Sequence, residues 1–306
     1  MPTLEAVETR PAPCDVLLDE PTWSARRSAH ESRVDAWIGP HLERRRAGLR
    51  HPVEDFLFTY YGQRPPALRR WHPGYGVGLA DGASYVGLKG YGEVSTGSTT
   101  RAVTVTPEHL ASQQVLLSTL RRLLAATASR PAQLGCFGMH EWAMVYRLPQ
   151  ADVRHAAWPL RLGASGTDEV VESHRISCTH FDAFRFFTDD ARPRNTLQPA
   201  SDDRPDFEQP GCLHAGMDLY KHAYRLTPLV PSELVADCFE LARDIRVLDM
   251  RASPYDFTEL GHEPVRVETA AGKAEYADAQ RGFAERGAPL RQRLLDACGG
   301  LLTRPR

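Results

Sequence analysis

The hydrophobic pattern changes its period at Thr106-Pro107, and this change constrains the fold more than any other feature of the sequence. Residues 101–106 alternate between apolar and polar side chains, as in a half-buried strand. Over residues 107–127, leucines recur at helical spacing. Thr106 is a favourable N-cap, and Pro107 suits the first helical position. A strand that leads directly into an amphipathic helix indicates an α+β fold.

Other segments predict further strands and helices. These are strands over 84–89, 143–148 and 174–187 (the last as a strand or a hairpin arm) and helices over 214–225, 232–248 and 289–295. No internal repeat is found, so we expect these elements to share one core.

The domain organisation follows from this distribution. Residues 1–50 are expected to form an N-terminal extension, with an irregular arm over 1–30 and short helices over 35–38 and 40–48. Residues 51–306 are expected to form a single mixed α+β catalytic domain with a β-sheet core and flanking helices.

Composition excludes several classes of protein. The chain has 306 residues, of which 42% are hydrophobic and 25% are charged, as is typical of globular proteins. No apolar run approaches the ~20 residues of a membrane-spanning helix, so no membrane partner is expected. Residues 1–20 lack a basic segment followed by an apolar stretch, so we expect no secretory signal and a cytoplasmic protein. The net charge of −2 provides no general basic field for nucleic acid.

The common catalytic and metal-binding motifs are missing. The sequence has no Walker-type phosphate loop, no Rossmann-type glycine motif, no HExxH and no GxSxG. The six cysteines are scattered without a CxxC pair, which predicts isolated reduced thiols. Candidate site residues therefore come from the histidines and acidic residues that concentrate between positions 140 and 250.

The predicted helix over 214–225 carries the clearest polar group. His214, Asp218, Lys221 and His222 fall within one arc of about 100°, with Tyr220 on the neighbouring flank. The i, i+4 spacing places His214 beside Asp218, where they could share a metal ion or a proton. For His222 we favour a solvated polar face.

A second group lies in the predicted strand over 174–187. Strand alternation points His180, Asp182 and Phe184 to one face and Arg185 to the other. Because each face mixes aromatic and polar groups, and a buried polar group needs a partner, the segment is expected to border a polar cavity. A strand end with solvated His and Asp is the alternative.

The third group precedes the predicted strand over 143–148. His140 and Glu141 suit a ligand or acid–base pair, Trp142 could stack on a planar substrate, and structural capping is the alternative. Further along the chain, the helix predicted over 232–248 carries two acidic residues on one face, and a third follows just beyond its end. We expect surface ion pairs of Asp237, Asp244 and Asp249 with Arg243 or Arg246.

An arginine-rich, aromatic patch lies between positions 64 and 72. Its members are Arg64, Arg69, Arg70, Trp71 and His72. Charge and stacking together are typical of surfaces that hold an anion or a single-stranded base. An ordinary Arg-rich surface is the alternative.

Several stretches resemble a family found mainly in actinobacteria. They read HPVEDFLFTYY, LRRWHPG, GMHEWAMVYR, THFDAFRFFT, QPGCLHAGMDLYKHAY and SELVADCFELARDIRVLDMRASPYDF, and they span residues 51–257. Members usually carry the name 3-methyladenine DNA glycosylase. The resemblance implies cleavage of the N-glycosidic bond of a modified purine, with the base turned out of the DNA into a pocket.

The resemblance implies roles for particular residues. Asp218, Asp182 or Glu141 would assist the attacking water, together with His180 and His214. The candidates for holding the base or its DNA are Trp142, Phe184, Tyr220, Lys221, Arg185, Arg64, Arg70 and Trp71. This mechanism needs no cofactor and no protein partner, and its substrate is DNA with a damaged base.

A metal-dependent enzyme is the alternative. The candidate ligands of one divalent ion are His140, His180, Asp182, His214 and Asp218. Such a set suits Fe, Zn or Mn in a hydrolase or oxygenase that acts on a small molecule. A non-catalytic ligand-binding protein would leave this concentration of titratable groups without a purpose. The sequence therefore predicts an enzyme, with the glycosylase placed first by resemblance.

Overall fold

A four-stranded mixed sheet and a larger set of helices form an α+β fold, with 55% helix and 8% strand. The computed structural model describes residues 14–96 and 100–304. The strands are β1 (Val16–Leu18), β2 (Val77–Ala80), β3 (Tyr91–Thr96) and β4 (Thr100–Val105). Their order is β1-β2-β4-β3, with β1 parallel to β2 and the other neighbours antiparallel. The predicted α+β class is confirmed.

Of the two strands predicted over residues 84–89 and 101–106, one is confirmed and one is wrong. The strand predicted before the helix at Pro107 is β4, and Val103 of this strand pairs with Leu79 of β2 in the core. The strand predicted over 84–89 is wrong, because a 3₁₀ turn begins this segment and the extended chain starts only at β3. Gly87 and Gly90 have φ of 79° and 87°, left-handed values that interrupt a strand.

Twelve α-helices follow one another in the described residues. They are α1 (Glu20–Arg46), α2 (Phe56–Thr59), α3 (Pro65–Arg69), α4 (Pro107–Ser112), α5 (Gln114–Ala128), α6 (Met139–Ala143), α7 (Gly163–Ser173), α8 (Phe181–Phe184), α9 (Arg204–Phe207), α10 (Leu213–Arg225), α11 (Ser232–Arg251) and α12 (Ala270–Leu302). Within the described ranges, none combines the length and apolar character needed to cross a membrane.

The helix predicted over 107–127 is confirmed as α4 and α5, which are separated at Gln113. Thr106 caps α4 as expected, since its hydroxyl oxygen accepts a hydrogen bond from the His109 backbone N–H over 3.2 Å. The leucine stripe of α5 is buried against α12.

The core of the helical part is formed by α10, α11 and α12, which pack against one another. The helices predicted over 214–225 and 232–248 are confirmed as α10 and α11. The short helix predicted over 289–295 belongs to α12, which has 33 residues and continues through Pro289. Its buried stripe includes Gly272, Gln280 and Arg291, so apolar periodicity does not reveal its length.

The N-terminal helices differ from the prediction. One continuous 27-residue helix, α1, replaces both short helices and the later part of the irregular arm, whereas residues 1–13 lie outside the described residues. Asp19 caps this helix through a hydrogen bond from the Thr22 backbone N–H. Trp23 and Ile38 anchor it in the main core. Such a narrow apolar stripe on an Arg-rich helix gives a weak sequence signal.

Two predicted strands are wrong. The segment over 143–148 forms the end of α6 and a series of turns, with Arg147 at a φ of 57°. The segment over 174–187 is an irregular stretch followed by the single-turn helix α8. Short apolar runs do not distinguish strands from buried helical turns, so tertiary packing decided both cases.

Candidate functional site

His140, His214 and Asp249 lie together inside the helical part of the molecule. Each offers one ligand atom, and these atoms all lie within 4.8 Å of one another. His140 Nε2 and Asp249 Oδ1 are 2.9 Å apart, and the two imidazole rings meet edge to face with centroids 4.5 Å apart. All three residues are buried. Two imidazoles and one carboxylate at this spacing could hold a divalent transition-metal ion.

Three helices bring these residues together. His140 lies in α6, which begins after Gly138 in the left-handed conformation (φ 68°). His214 lies in the first turn of α10, and Asp249 lies in the last turn of α11. Gly216 lets α10 and α11 approach closely, because a Cβ there would lie 2.7 Å from a side-chain carbon of α11.

His140 and Asp249 form a buried ion pair. Burial by itself lowers the pKa of His140, but the charge and hydrogen bond of Asp249 outweigh burial and raise this pKa. Burial also opposes ionisation of Asp249, yet the charge of His140 lowers the pKa of this carboxyl below its usual range. Arg246 Nη1 donates to Asp249 Oδ2 over 2.9 Å and lies 3.4 Å from Glu141 Oε1. The carboxylate is therefore held ionised by two cationic neighbours.

His214 is in a different electrostatic state. Burial, followed by the positive charge of His140, lowers the pKa of His214 well below its ordinary value. Among the described residues, none hydrogen-bonds to its ring nitrogens. His214 is therefore a neutral imidazole with free ring nitrogens, the form that binds a metal ion or accepts a proton.

A cavity of about 150 Å³ borders His140 and His214. Its wall also includes the thiols of Cys136, Cys178 and Cys212, so we call it the thiol cavity. Burial raises the pKa of all three thiols, that of Cys178 to about 12. They stay protonated near neutral pH and do not act as thiolate nucleophiles. No described Asp, Glu, Lys or Arg lines the thiol cavity, which therefore suits an uncharged molecule.

His214 also borders a second, smaller pocket, which includes Asp182. This pocket shares Phe56, Arg154 and His155 with an open groove of about 1040 Å³. The small pocket at the His214 ring therefore adjoins this groove.

Comparison of the chain with protein-family models, with curated proteins and with solved structures finds no match. The chemistry of the site must therefore be inferred from its own residues.

Asp218 is the centre of a second buried cluster. Its Oδ1 accepts a hydrogen bond from the Tyr61 hydroxyl over 3.0 Å, and its Oδ2 accepts from Arg204 over 2.7 Å and from Lys221 over 3.4 Å. Burial opposes ionisation, but His180 and Lys221 lower the pKa of Asp218 well below its usual range. Asp218 is thus an ionised carboxylate whose charge is already compensated by protein cations.

His180 links this cluster to the first one. Its Nε2 lies 3.4 Å from Glu208 Oε1 and 3.5 Å from Asp218 Oδ2, and its ring centroid lies 5.3 Å from that of His214. Its Nδ1 is buried and has no hydrogen-bond partner among the described residues. An imidazole between two carboxylates, with one nitrogen free, is suited to proton transfer.

The structure brings together His180, Asp182, His214 and Asp218, the two pairs taken from separate sequence segments. The Lys221 ammonium connects the acidic members, because it lies 2.7 Å from Asp182 Oδ2 and 3.4 Å from Asp218 Oδ2. Strand alternation does not explain why these residues meet, because His180 is the N-cap residue of α8 and Asp182 lies in that helix. Of the five residues predicted as metal ligands, the cluster within 4.8 Å contains only His140 and His214.

The aromatic residues expected to hold a base lie in the core instead. Trp142 and Tyr220 are fully buried, and the Trp142 indole N–H donates to the Ala252 carbonyl over 2.9 Å. Phe184 is also buried, and its ring packs against that of Phe187, which follows α8. Trp71 is fully buried and donates to a Glu233 carboxylate oxygen. Since these rings serve core packing, none presents a free face to the thiol cavity.

The predicted basic residues are placed at the surface. Arg69 pairs with Asp35 over 2.7 Å, while Arg64 and Arg70 are exposed and have no carboxylate within 4.0 Å among the described residues. Arg185 is exposed and lies 3.5 Å from an Asp182 oxygen. Arg64 and Arg70 thus do not form a stacking surface with the buried Trp71.

Two expectations about polar residues need correction. His222 is buried rather than solvated, and its Nδ1 has no hydrogen-bond partner among the described residues. Asp237 and Asp244 do form ion pairs, but their partners are arginines of α1 and α12. Asp249 is fully buried beside Arg246 and so is not a surface residue.

Asp249 is the site residue that sequence reasoning misassigned. The buried stripe of α11 includes Cys238, Leu241 and Ile245, and Asp249 continues it at i+4. A carboxylate on an apolar stripe is a signal of a buried, partnered acid. Glu208, Arg204 and Tyr61 were missed as well, because nothing local in the sequence marks them.

Proposed function

We propose that the protein is a metal-dependent hydrolase that holds one divalent ion with His140, His214 and Asp249. The observation that carries this proposal is the group of three buried ligand atoms within 4.8 Å of one another, two of which belong to histidines that line the thiol cavity. Nitrogen and carboxylate ligands of this kind suit zinc, iron or manganese.

The electrostatics of the three residues favour a cation at this position. His214 is neutral and its ring nitrogens are free of hydrogen bonds to described residues, so coordination by this ring requires neither loss of a proton nor loss of a hydrogen bond. Asp249 is ionised, and the protonated imidazole of His140 is the cation that lies beside it. A metal ion would displace that proton, and Arg246 would continue to orient the carboxylate from its other oxygen.

Hydrolysis is the reaction that this site can complete with water alone. A bound ion would supply Lewis-acid activation of a water molecule. The hydroxyl of that water adds to the electrophilic atom of the substrate, the bond to the leaving group breaks, and the proton passes to the leaving group. His180 is the proposed proton carrier, because its ring lies next to His214 and its Nδ1 is free among the described residues. An oxygenase would in addition require dioxygen and a reductant.

The glycosylase activity implied by the family resemblance is the competing proposal. It requires a carboxylate that can assist water beside a pocket with aromatic walls. Asp218, its first candidate, is engaged by Arg204 and Lys221, and the candidate aromatic walls are packed in the core. The geometry therefore supports the metal-dependent hydrolase better.

The deciding experiment is elemental analysis of the purified protein and of three variants. We expect close to one zinc, iron or manganese per chain in the parent protein. His214→Gln and Asp249→Asn should lose it, whereas His222→Gln, a buried histidine of the same helix outside the cluster, should keep it. A metal-free parent protein that releases free base from alkylated DNA would reject this proposal in favour of the glycosylase.

A further inference from the structure

A separate cavity of about 290 Å³ is lined by residues of α3 and α4, the loop before β3 and the end of α10. Its wall contains Arg70, which follows α3, Lys89, which precedes β3, and Arg225, the last residue of α10. His72 and His109 complete its polar lining. Three cations from distant segments thus meet at one concave surface.

These cations lack acidic partners among the described residues. No Asp or Glu lines the cavity, and none lies within 4.0 Å of the nitrogens of Arg70, Lys89 or Arg225. The neighbouring Arg69 provides the contrast, because it is paired with Asp35 over 2.7 Å and with Glu31 over 3.4 Å. Like charges gathered in a concave site repel one another and create a positive potential that favours a bound anion.

The surrounding groups are held in place by specific contacts. Tyr91 and His72 are hydrogen-bonded through the phenol oxygen and Nδ1 at 2.9 Å, and the His72 backbone N–H donates to Ser232 Oγ over 2.8 Å. Gly90 follows Lys89 with a φ of 87°, and a Cβ on it would lie 2.8 Å from the His109 ring. A glycine at this position is therefore required for the loop of Lys89 to approach His109.

The two histidines are affected by the uncompensated charges. Burial and then the charge of Arg70 lower the pKa of His72 to about 4, and burial and then Lys89 lower the pKa of His109. Both imidazoles are therefore neutral near pH 7 and available as hydrogen-bonding groups rather than as additional charges.

We propose that this cavity binds the phosphate group of a small phosphorylated molecule through Arg70, Lys89 and Arg225. Guanidinium groups recognise phosphate by charge-assisted and often bidentate hydrogen bonds, and an ammonium group adds a point charge. The three cations converge on one cavity rather than lying along an extended stripe, which suits a terminal phosphate better than a polymer backbone. The proposal does not depend on the metal-dependent activity.

Isothermal titration with inorganic pyrophosphate tests the proposal. We expect measurable binding by the parent protein and about tenfold weaker binding by each of Arg70→Gln, Lys89→Gln and Arg225→Gln. Arg122→Gln is the matched control, because Arg122 is exposed on α5 and does not line the cavity. This control should bind as tightly as the parent.

A single-stranded oligonucleotide without a terminal phosphate distinguishes the two sources of phosphate. Binding of pyrophosphate that the three cavity variants weaken supports the proposal. Binding of the oligonucleotide alone, weakened by the same variants, would overturn it in favour of a nucleic-acid surface. Equal pyrophosphate binding by the parent and the variants, or none by the parent, would overturn it as well.

Discussion

His140 Nε2 and Asp249 Oδ1 lie 2.9 Å apart, although 109 positions separate the two residues in the chain. The contact joins α6 to the end of α11, and both side chains are buried. A charged pair inside a core costs desolvation energy, which the mutual attraction and further hydrogen bonds must offset. Arg246 and the neutral His214 complete this network, so the pair organises the whole candidate metal centre.

The substitution Asp249→Asn should destabilise the metal-free protein by about 3 kcal/mol, because it leaves the buried cations of His140 and Arg246 with only the more distant carboxylate of Glu141. Asp244→Asn, in the same helix, is the control, since Asp244 pairs with Arg286 at the surface and should contribute less than about 1 kcal/mol. Urea denaturation measures both values. Equal effects of the two substitutions would contradict a buried ion pair.

The substitution Asp218→Asn should also lower the free energy of unfolding by about 3 kcal/mol, because Arg204 and Lys221 would lose their shared carboxylate. We expect a smaller loss for Asp182→Asn, since Asp182 is the more accessible of the two acids. Thermal or chemical denaturation of both variants provides the comparison. A parent-like stability of Asp218→Asn would show that its ion pairs contribute nothing.

Stability should fall on acidification partly because of His222. Burial lowers the pKa of His222 to about 3. The charge of Asp218 acts to raise this pKa, whereas the charges of Arg204, Lys221 and Arg225 lower it further. Between the ordinary pKa of about 6.5 and this value only the unfolded chain binds the proton, so stability decreases as pH falls, by at most about 1.4 kcal/mol per pH unit. The variant His222→Gln should lack this contribution to the pH dependence of stability. Denaturation at pH 7 and pH 5 measures it, and identical pH dependence in both proteins would refute the assignment.

The close approach of α10 and α11 depends on Gly216. Gly216→Ala should cost about 1–3 kcal/mol, because the new Cβ would lie 2.7 Å from Ile245 Cδ1 in the core. Gly282→Ala is the control, since Gly282 lies in α12 with nothing within 4 Å of the added Cβ. It should stabilise the protein by about 0.4–1 kcal/mol. Changes of the same sign would argue against tight packing at Gly216.

Local sequence patterns predicted the elements whose signals are strong. Strand β4 and helices α4 and α5 followed from the change in hydrophobic period at Thr106, and the cap of α4 formed as expected. In α10, the i, i+4 spacing of His214 and Asp218 identified two residues that do lie in buried polar clusters. These features depend on neighbours a few positions apart, so the sequence contains the information directly.

Long-range packing decided the rest. The stretch 143–148 reads as a strand, yet it forms turns because Trp142 and its neighbours pack into a helical core. The sequence placed Asp249 at the surface, and only the docking of α6 against α11 buries it beside His140. Periodicity reports which face of a helix is apolar, but not which partner covers it. The metal-ligand group and the three-cation cavity are therefore properties of the tertiary structure, because each unites side chains from separate segments whose meeting point local chemistry does not specify.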